Sequence, residues 1–251
     1  MNDLQALKTL WQSEEQHAFS GWDFSHLDHR WSEQPLPWDY RALALAQLTP
    51  TSRLLDMGTG GGEFLLSLGH PPALTIVTEG YAPNAALCRE RLAPLGITVV
   101  ECDGEGPLPF PDGCFDVVLD RHESYLPGEV RRVLAAGGVF LTQQVGGRNN
   151  SALSRRLIPG FQPQFPHWDL AHARRDLEEA GFTVLDGGEC FLPLRFFDAG
   201  AVAFFAKVIP WEFPGFTVEG CFDALLDVHR EIGDRGYVES TEHRFFLLGR
   251  K

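Results

Sequence analysis

Short apolar runs, each bounded by turn residues, recur along the chain from residue 53 to residue 145. Runs of this length that are rich in Val, Ile and Leu are typical of buried strands. They predict strands at residues 53–57, 74–78, 97–101, 115–119 and 139–145. Helix signals between the runs predict helices at residues 63–68, 83–92 and 127–134. Strands that alternate with helices in this way indicate an α/β fold with a parallel sheet.

The N-terminal flank of this region shows helical and aromatic patterns. Apolar residues at helical spacing predict helices at residues 1–20 and 39–47. The stretch from Trp22 to Trp31 between them is aromatic and irregular. We therefore interpret residues 1–50 as an N-terminal helical and aromatic lid segment, with packing in the core as the alternative.

The C-terminal flank begins with a predicted helix at residues 169–180, which leads into a strand that starts at residues 182–185. Residues 243–248 form a last apolar strand. We interpret residues 193–240 as an insertion between the last two strands, which covers the C-terminal edge of the sheet or simply extends the core. A length of 251 residues fits one large domain, so we predict a single domain over residues 1–251.

A glycine turn follows the first strand of the α/β region, in the sequence LLDMGTGGGE at residues 54–63. Gly58, Gly60 and Gly62 allow a tight turn and a close approach of the backbone to a ligand. The turn would aim amide N–H groups at an anionic or polar ligand. The dinucleotide fingerprint requires a glycine where Glu63 stands, which disfavours a nicotinamide-dependent dehydrogenase.

Composition excludes several classes of partner. A net charge of −13 without a dense run of Lys and Arg argues against binding to nucleic acid. The five cysteines contain no C-x-x-C pair, which predicts no disulfide framework and no metal site. The same cysteine pattern favours the reducing cytoplasm. The longest apolar stretch, residues 199–209, is too short to span a membrane, so we expect no membrane contact. The oligomeric state stays open.

Four further patterns stand in register with the glycine turn and with Asp56 before it. They are Glu79 at the end of the second strand, Cys102-Asp103-Gly104 after the third, residues 108–116 before the fourth, and Arg131-Val133-Leu134 with Gly137-Gly138 before the fifth. The set resembles the class I S-adenosylmethionine (SAM)-dependent methyltransferases. One departure is Ala136, where that family has proline.

The resemblance implies a fold and a cofactor. The fold is a Rossmann-like, mostly parallel sheet of seven strands in the order 3-2-1-4-5-7-6, with strand seven antiparallel. Helices would cover both faces, and helical and aromatic segments would form a cap. The cofactor would be S-adenosylmethionine, with S-adenosylhomocysteine as the product.

The resemblance also implies cofactor-binding roles. Asp56 would organise the glycine turn, whose three glycines would accept the methionine end of SAM. Glu79 would bind the ribose hydroxyls and Asp103 the adenine amino group, with Gly104 leaving room for the ring. Each carboxylate has an ordinary structural role as its alternative. Asp56 would cap the turn, Glu79 would be a surface carboxylate, and Asp103 would form an Asp-Gly turn.

The acceptor side is expected where strand four ends, because ligands of open α/β sheets bind beyond the C-terminal ends of the strands. His122 is our candidate for a general base, since its ordinary pKa lies near neutrality. Glu123 would orient His122 or bind an acceptor amine, and Arg121 would pair with an acidic acceptor. The alternatives are that His122 is an ordinary loop residue, that Glu123 caps a helix and that Arg121 lies at the surface.

Three more residues are substrate candidates. Tyr40 and Trp211 lie in aromatic segments that could close over the cleft, and Gln143 lies at the end of strand five. Adjacent side chains of a strand point to opposite faces, so only one of Gln143 and Gln144 can face the cleft. Packing in the core is the alternative for each aromatic residue.

The leading hypothesis is a SAM-dependent methyltransferase that acts on an unidentified small-molecule acceptor. One alternative is an rRNA or tRNA base methyltransferase. The similar guanine-N1 rRNA methyltransferases carry an N-terminal cysteine-rich zinc module, whereas the first cysteine of this chain is Cys88. The other alternative is a non-catalytic regulator that binds SAM without methylating a substrate.

Overall fold

The computed structural model describes residues 2–19 and 23–251. Trp22, at the start of the predicted aromatic segment, lies outside the described residues. The chain divides into two compact units, each made of three segments. Unit 1 comprises Met1–Leu36, Gly146–Trp168 and Cys190–His243; unit 2 comprises Pro37–Val145, Asp169–Glu189 and Arg244–Lys251. The single domain, the lid at residues 1–50 and the insertion at residues 193–240 stay predictions.

The described residues contain eight strands and nine α-helices. The strands are β1 (Trp31–Ser32), β2 (Leu54–Met57), β3 (Thr75–Glu79), β4 (Thr98–Glu101), β5 (Phe115–Arg121), β6 (Leu134–Val145), β7 (Thr183–Phe196) and β8 (Val238–Arg250). The helices are α1 (Asn2–Glu15), α2 (Tyr40–Gln47), α3 (Glu63–Ser67), α4 (Ala82–Leu92), α5 (Pro127–Val133), α6 (Ser151–Leu157), α7 (Leu170–Glu179), α8 (Ala199–Val208) and α9 (Phe222–Arg235).

The strands are hydrogen-bonded in the order β1-β7-β8-β6-β5-β2-β3-β4. Strands β2 to β6 pair in parallel, and β8 is antiparallel to β6. This arrangement confirms the α/β fold and the predicted order with an antiparallel strand. The predicted number of seven strands was wrong, because β1 adds an eighth strand antiparallel to β7. A two-residue strand is too short for periodicity to reveal.

The central strands of unit 2 are buried along almost their whole length, as a parallel sheet covered on both faces requires. Their core includes Leu54 of β2, Val77 of β3 and Leu119 of β5, together with side chains from α2, α3 and α4. Burying each such aliphatic side chain stabilises the fold by about 1.5–3 kcal/mol. The core thereby fixes the ends of β2, β3 and β5, which carry the candidate site.

The predicted turn at Gly137-Gly138 lies inside β6 instead of before it. Leu134 pairs with Phe115 and Val139 pairs with Val117, so the register shifts at this point. Gly137 has a φ of +77°, a conformation that glycine adopts without strain. The glycine pair therefore forms an irregularity within the strand.

Unit 1 has its own core, which surrounds α8. Residues 199–206 of this helix are all buried, which suits a helix that is apolar on every side. Asp198 caps the helix, because its carboxylate accepts a hydrogen bond from the Ala201 N–H at 2.7 Å. Trp11 of α1 and Leu225 of α9 belong to the same core.

Several elements differ from the sequence-based boundaries; β8, for example, begins at Val238, before the predicted start at residue 243. Helix α1 ends at Glu15, β7 is much longer than the predicted strand start, and α6 had no prediction. Strand β7 mixes exposed and half-buried residues along most of its length, so it has no continuous apolar run. Without such a run, the hydrophobic periodicity of the sequence does not reveal the strand.

Candidate active site

The glycine turn connects β2 to α3 in a conformation that depends on its glycines. Gly58, Gly60 and Gly62 have φ angles of +59°, +62° and +79°, which L side chains rarely adopt. A Cβ on Gly58 would lie 2.5 Å from the Cβ of Glu123. The turn therefore needs glycine for its backbone conformation and, at Gly58, for the approach of Glu123.

Helix α4 holds this turn from behind, which the sequence analysis missed. The Cys88 thiol donates to the Gly60 carbonyl at 2.8 Å, and Arg91 Nη1 donates to the Gly61 carbonyl at 2.9 Å. Arg91 also pairs with Glu63 at the start of α3. Cys88 and Arg91 are three residues apart, so they share one face of the helix. That spacing was visible in the sequence, but its target was not.

Glu79 connects two loops at the end of β3. Its side chain is buried, and Oε2 accepts from the Gly60 N–H at 2.8 Å while Oε1 accepts from the Tyr81 N–H at 2.9 Å. A carboxylate has about four lone-pair positions, so further hydrogen bonds remain open to it. Glu79 thus fixes the glycine turn and has acceptor capacity left for hydroxyl groups.

Asp103 and Gly104 follow β4 and pack against neighbouring loops. Asp103 is exposed, and its Oδ1 accepts from the Glu105 N–H at 3.1 Å, so it forms the Asp-Gly turn that was the plainer alternative. Gly104 has a φ of +72°, and a Cβ there would lie 2.3 Å from the carbonyl oxygen of Ser124. The loop after β4 and the loop after β5 are therefore in close contact.

Two carboxyl groups near the glycine turn have strongly raised pKa values. Burial raises the pKa of Asp56 to about 6; the charge of Glu79 adds to this rise and that of Arg121 opposes it. Burial also raises the pKa of Glu123 to about 7, and the charges of Glu79 and Asp103 raise it further. The site thus gathers four carboxyl groups, which favours a ligand that carries positive charge.

Asp120 lies beside the turn, paired in register with Met57. Its side chain is fully buried, and Oδ1 accepts from Gln144 Nε2 at 2.8 Å. Oδ2 has no hydrogen-bond partner among the described residues. Burial, reinforced by the charge of Glu123, raises the pKa of Asp120 well above its ordinary value. Asp120 therefore offers a neutral, buried carboxyl group next to the site.

His122 follows β5 with a φ of +70°, an uncommon conformation for a residue other than glycine. Its Nε2 lies 3.1 Å from Nε2 of Gln143, and Gln143 Oε1 accepts from Trp38 Nε1 at 2.8 Å. Desolvation by the surrounding protein, with the charges of Arg244 and Arg121, lowers the pKa of His122. Part of the residue reaches solvent, which limits the desolvation. His122 is thus neutral at neutral pH.

The other predicted substrate residues lie in different surroundings. The Tyr40 side chain is buried, with its hydroxyl 2.8 Å from the Asp120 carbonyl and 3.1 Å from that of Leu141. Arg121 is exposed, and its guanidinium carbon lies 4.7 Å from the centre of the Phe64 ring. Trp211 belongs to unit 1 and is 51% exposed.

The structure therefore forms two groups of predicted residues in unit 2. The first group lies in or near the glycine turn and comprises Asp56, Gly58, Gly60, Gly62, Glu79, Asp103, Gly104 and Glu123. The second group lies where β5 and β6 end and comprises Arg121, His122 and Gln143. In the part of the chain that the structure describes, no cluster of three or more His, Cys, Asp or Glu side chains could hold a metal ion. No described helix is both long enough and apolar enough to cross a membrane.

Comparison with known proteins identifies the domain. Residues 55–142 match the model of a family described as a methyltransferase domain. A demethylmenaquinone methyltransferase from Thermus thermophilus is 37% identical over 115 residues, which cover 41% of this chain and 51% of that protein. A protein-L-isoaspartate O-methyltransferase from Methylorubrum populi is 34% identical over 113 residues, or 43% of this chain and 53% of that protein. The chain spans about half the length of these curated relatives.

A solved structure extends the comparison to the fold. The [4+2]-cyclase SpnF superposes with a TM-score of 0.52 at 21% identity, covering 84% of this chain and 79% of SpnF. At this identity the likeness concerns the fold alone. The fold of this chain is that of the class I SAM-dependent methyltransferases. Its residues 55–142 form a methyltransferase domain of that class.

Proposed function

We propose that this protein transfers a methyl group from S-adenosylmethionine to a small-molecule acceptor. The observation that carries the proposal is the gathering of Asp56, Glu79, Asp103 and Glu123 around a turn with three left-handed glycines. SAM carries a sulfonium and an ammonium group, and carboxylates stabilise both charges.

In this proposal each residue around the turn has a distinct part in binding. The turn receives the methionine end of SAM, Glu79 accepts from the ribose hydroxyls, and Asp103 accepts from the adenine amino group. Bound SAM supplies an electrophilic methyl group, and the protein aligns the acceptor with it and excludes water. Asp56 keeps the start of the turn in place from the end of β2.

For an acceptor that must lose a proton, Glu123 is the better supported of the two candidates for proton transfer. A pKa of about 7 allows a carboxyl group both to hold and to release a proton at neutral pH. Its contact with Gly58 places it at the turn that receives the methionine end. His122, with a lowered pKa and its Nε2 beside Gln143, is a weaker base.

The net charge of the protein bears on the class of acceptor. The relatives named above differ in acceptor, one being a demethylmenaquinone and the other a protein-L-isoaspartate methyltransferase. A net charge of −13 disfavours RNA, whose phosphates repel an acidic protein. A small molecule is the acceptor that this balance favours.

Calorimetric titration of the purified protein with SAM and with S-adenosylhomocysteine tests the cofactor. We expect micromolar binding of both, and a folded protein that binds neither contradicts the proposal. Asp103→Ala should weaken binding, whereas Asp112→Ala, an exposed residue paired with Arg132, serves as the control. Incubation with labelled SAM and fractionated metabolites then tests methyl transfer, and label that enters no fraction contradicts it.

A further inference from the structure

Three side chains of unit 2 form a hydrogen-bonded series that ends at His122. Trp38 Nε1 donates to Gln143 Oε1 at 2.8 Å, and Gln143 Nε2 lies 3.1 Å from His122 Nε2. The Gln143 side chain is buried, and the Trp38 ring packs on Phe246 with 5.0 Å between ring centres. The amide of Gln143 therefore has a fixed position between an indole and an imidazole.

The series determines which nitrogen of His122 carries the proton. An indole N–H can only donate, so the oxygen of the Gln143 amide must face Trp38. The amide nitrogen of Gln143 then faces His122 and donates, so His122 Nε2 must accept with its lone pair. A neutral imidazole with an occupied Nε2 lone pair carries its proton on Nδ1. A doubly protonated ring would set N–H against N–H.

His122 lies near two positively charged side chains, those of Arg121 and Arg244. None of the described residues accepts a hydrogen bond from its Nδ1–H group, and His122 is exposed. Arg121 precedes it in the chain, with its guanidinium on the Phe64 ring. Arg244 pairs with Val145 and lies two residues before Phe246, so Arg244 and Phe246 share one face of β8. Both guanidinium groups act on the imidazole electrostatically.

We propose that Trp38 and Gln143 are positioning residues that hold His122 as the neutral Nδ1–H tautomer. We further propose that this N–H and Arg121 bind an anionic oxygen, a carboxylate or a phenolate, of the methyl acceptor. This role rests on the proposed methyl transfer. An anionic oxygen that attacks the methyl carbon forms the new C–O bond, the sulfur keeps the electron pair of the broken C–S bond, and no proton has to move.

The tautomer can be measured without cofactor or substrate. Nitrogen NMR of protein labelled with ¹⁵N-histidine resolves protonated from unprotonated ring nitrogens, and His122→Gln identifies the signals among the nine histidines. We expect a protonated Nδ1 and an unprotonated Nε2 between about pH 5 and about pH 8. A protonated Nε2 in the native protein overturns the assignment.

Two variants test the source of the tautomer. Gln143→Glu replaces the donor with an acceptor and should protonate His122 at both nitrogens at neutral pH. Trp38→Phe frees the amide to rotate and should give a mixture of tautomers. Trp31→Phe, in unit 1, is the matched control and should leave the signals unchanged; unchanged signals of the other histidines show that each variant is folded. Native His122 signals in both test variants overturn the positioning role.

Benzoate is the probe for the anion subsite, and benzamide is its neutral counterpart. We expect benzoate, but not benzamide, to shift the His122 Nδ1 signal saturably, and Arg121→Met to weaken this binding about tenfold or more. Arg41→Met, which removes an arginine bound to the Ser67 carbonyl, is the control. Equal shifts with both probes, or full benzoate affinity in Arg121→Met, overturn the subsite. Calorimetry with SAM measures cofactor binding independently of benzoate binding. A protein that does not bind SAM can therefore be distinguished from one that lacks the anion subsite.

Discussion

Glu123 combines a raised pKa with a position beside the glycine turn. It contacts Gly58 in the glycine turn, and the carboxylates of Glu79 and Asp103 raise the pKa that burial has already raised. A cation bound beside these groups reverses part of that effect, because it favours the ionised carboxylate. Binding of a positively charged cofactor is therefore linked to loss of a proton from Glu123.

The linkage predicts that SAM binds more tightly as the pH rises through about 7. Below this pH Glu123 holds a proton that the bound cation would expel, and above it the carboxylate is already ionised. Calorimetry at about pH 6 and about pH 8, in buffers of different ionisation enthalpy, measures both the affinity and the released protons. Glu123→Gln should remove the part of the pH dependence near pH 7 and leave only the part that Asp56, with a pKa of about 6, contributes at lower pH; a variant that keeps the full dependence assigns the proton to another group.

At the same scale, local patterns predicted part of the candidate site. The glycines and Glu79 were found because their spacing reflects one strand, one turn and the next strand. The state of His122 could not be found in this way, because Gln143 and Trp38 are 105 positions apart. Only the sheet brings such residues together.

Helix α4 shows how a neighbouring element supports the glycine turn. Its Cys88 and Arg91 bind the carbonyls of Gly60 and Gly61, so those oxygens point back towards the helix. Carbonyls held in this way fix the conformation of the turn from the side of the helix. In the proposed binding of SAM, the helix would contribute by orienting the turn.

Arg91→Met should weaken SAM binding about tenfold, because the Gly61 carbonyl loses its hydrogen-bond donor. The variant should change stability little, because Arg91 is partly exposed. Calorimetry and thermal unfolding of the ligand-free protein measure the two effects. Arg89→Met is the matched control on the same helix, since Arg89 pairs with Glu101 at the surface. Equal affinity in both variants would show that Arg91 does not position the turn.

The contact between the loops after β4 and β5 gives a test of stability. Gly104→Ala should destabilise the protein by about 2–4 kcal/mol, because its Cβ would lie 2.3 Å from the Ser124 carbonyl at a φ of +72°. Gly106→Ala, two residues on, meets open space and should change stability by less than about 1 kcal/mol. Urea denaturation of both variants measures the difference. A tolerated Gly104→Ala would mean that the loops separate easily.

The elements themselves were predicted to differing degrees. Strands β2, β3 and β5 were found within about two residues, since they are buried on both faces and read as apolar runs. Strand β7 was found only at its start, because its exposed and half-buried residues mix. The start of β6 was misplaced, since Gly137-Gly138 signals a turn locally while neighbouring strands hold it in the sheet.

At the scale of the whole molecule, acidic groups lie at the glycine turn and basic groups lie near His122. The chain is acidic, with a net charge of −13, and the carboxyl groups at the glycine turn add to a field that attracts a cationic cofactor. The same field repels an anionic acceptor. An acceptor of that kind needs local positive groups, which Arg121 and Arg244 near His122 supply.

The match to the methyltransferase domain model leaves most of the chain outside it. It covers residues 55–142, whereas unit 1 lies wholly outside that range. Unit 1 nevertheless has its own core around α8. Unit 1 is therefore a compact unit that the match to the domain model does not include.

The two hydrogen bonds of Glu79 bear on the speed of binding. By joining the N–H groups of Gly60 and Tyr81, this carboxylate keeps two loops ordered before any ligand arrives. Such a site loses little chain entropy when it binds, and no slow rearrangement has to precede the encounter. The association rate should then rise in proportion to ligand concentration, limited by diffusion and orientation alone.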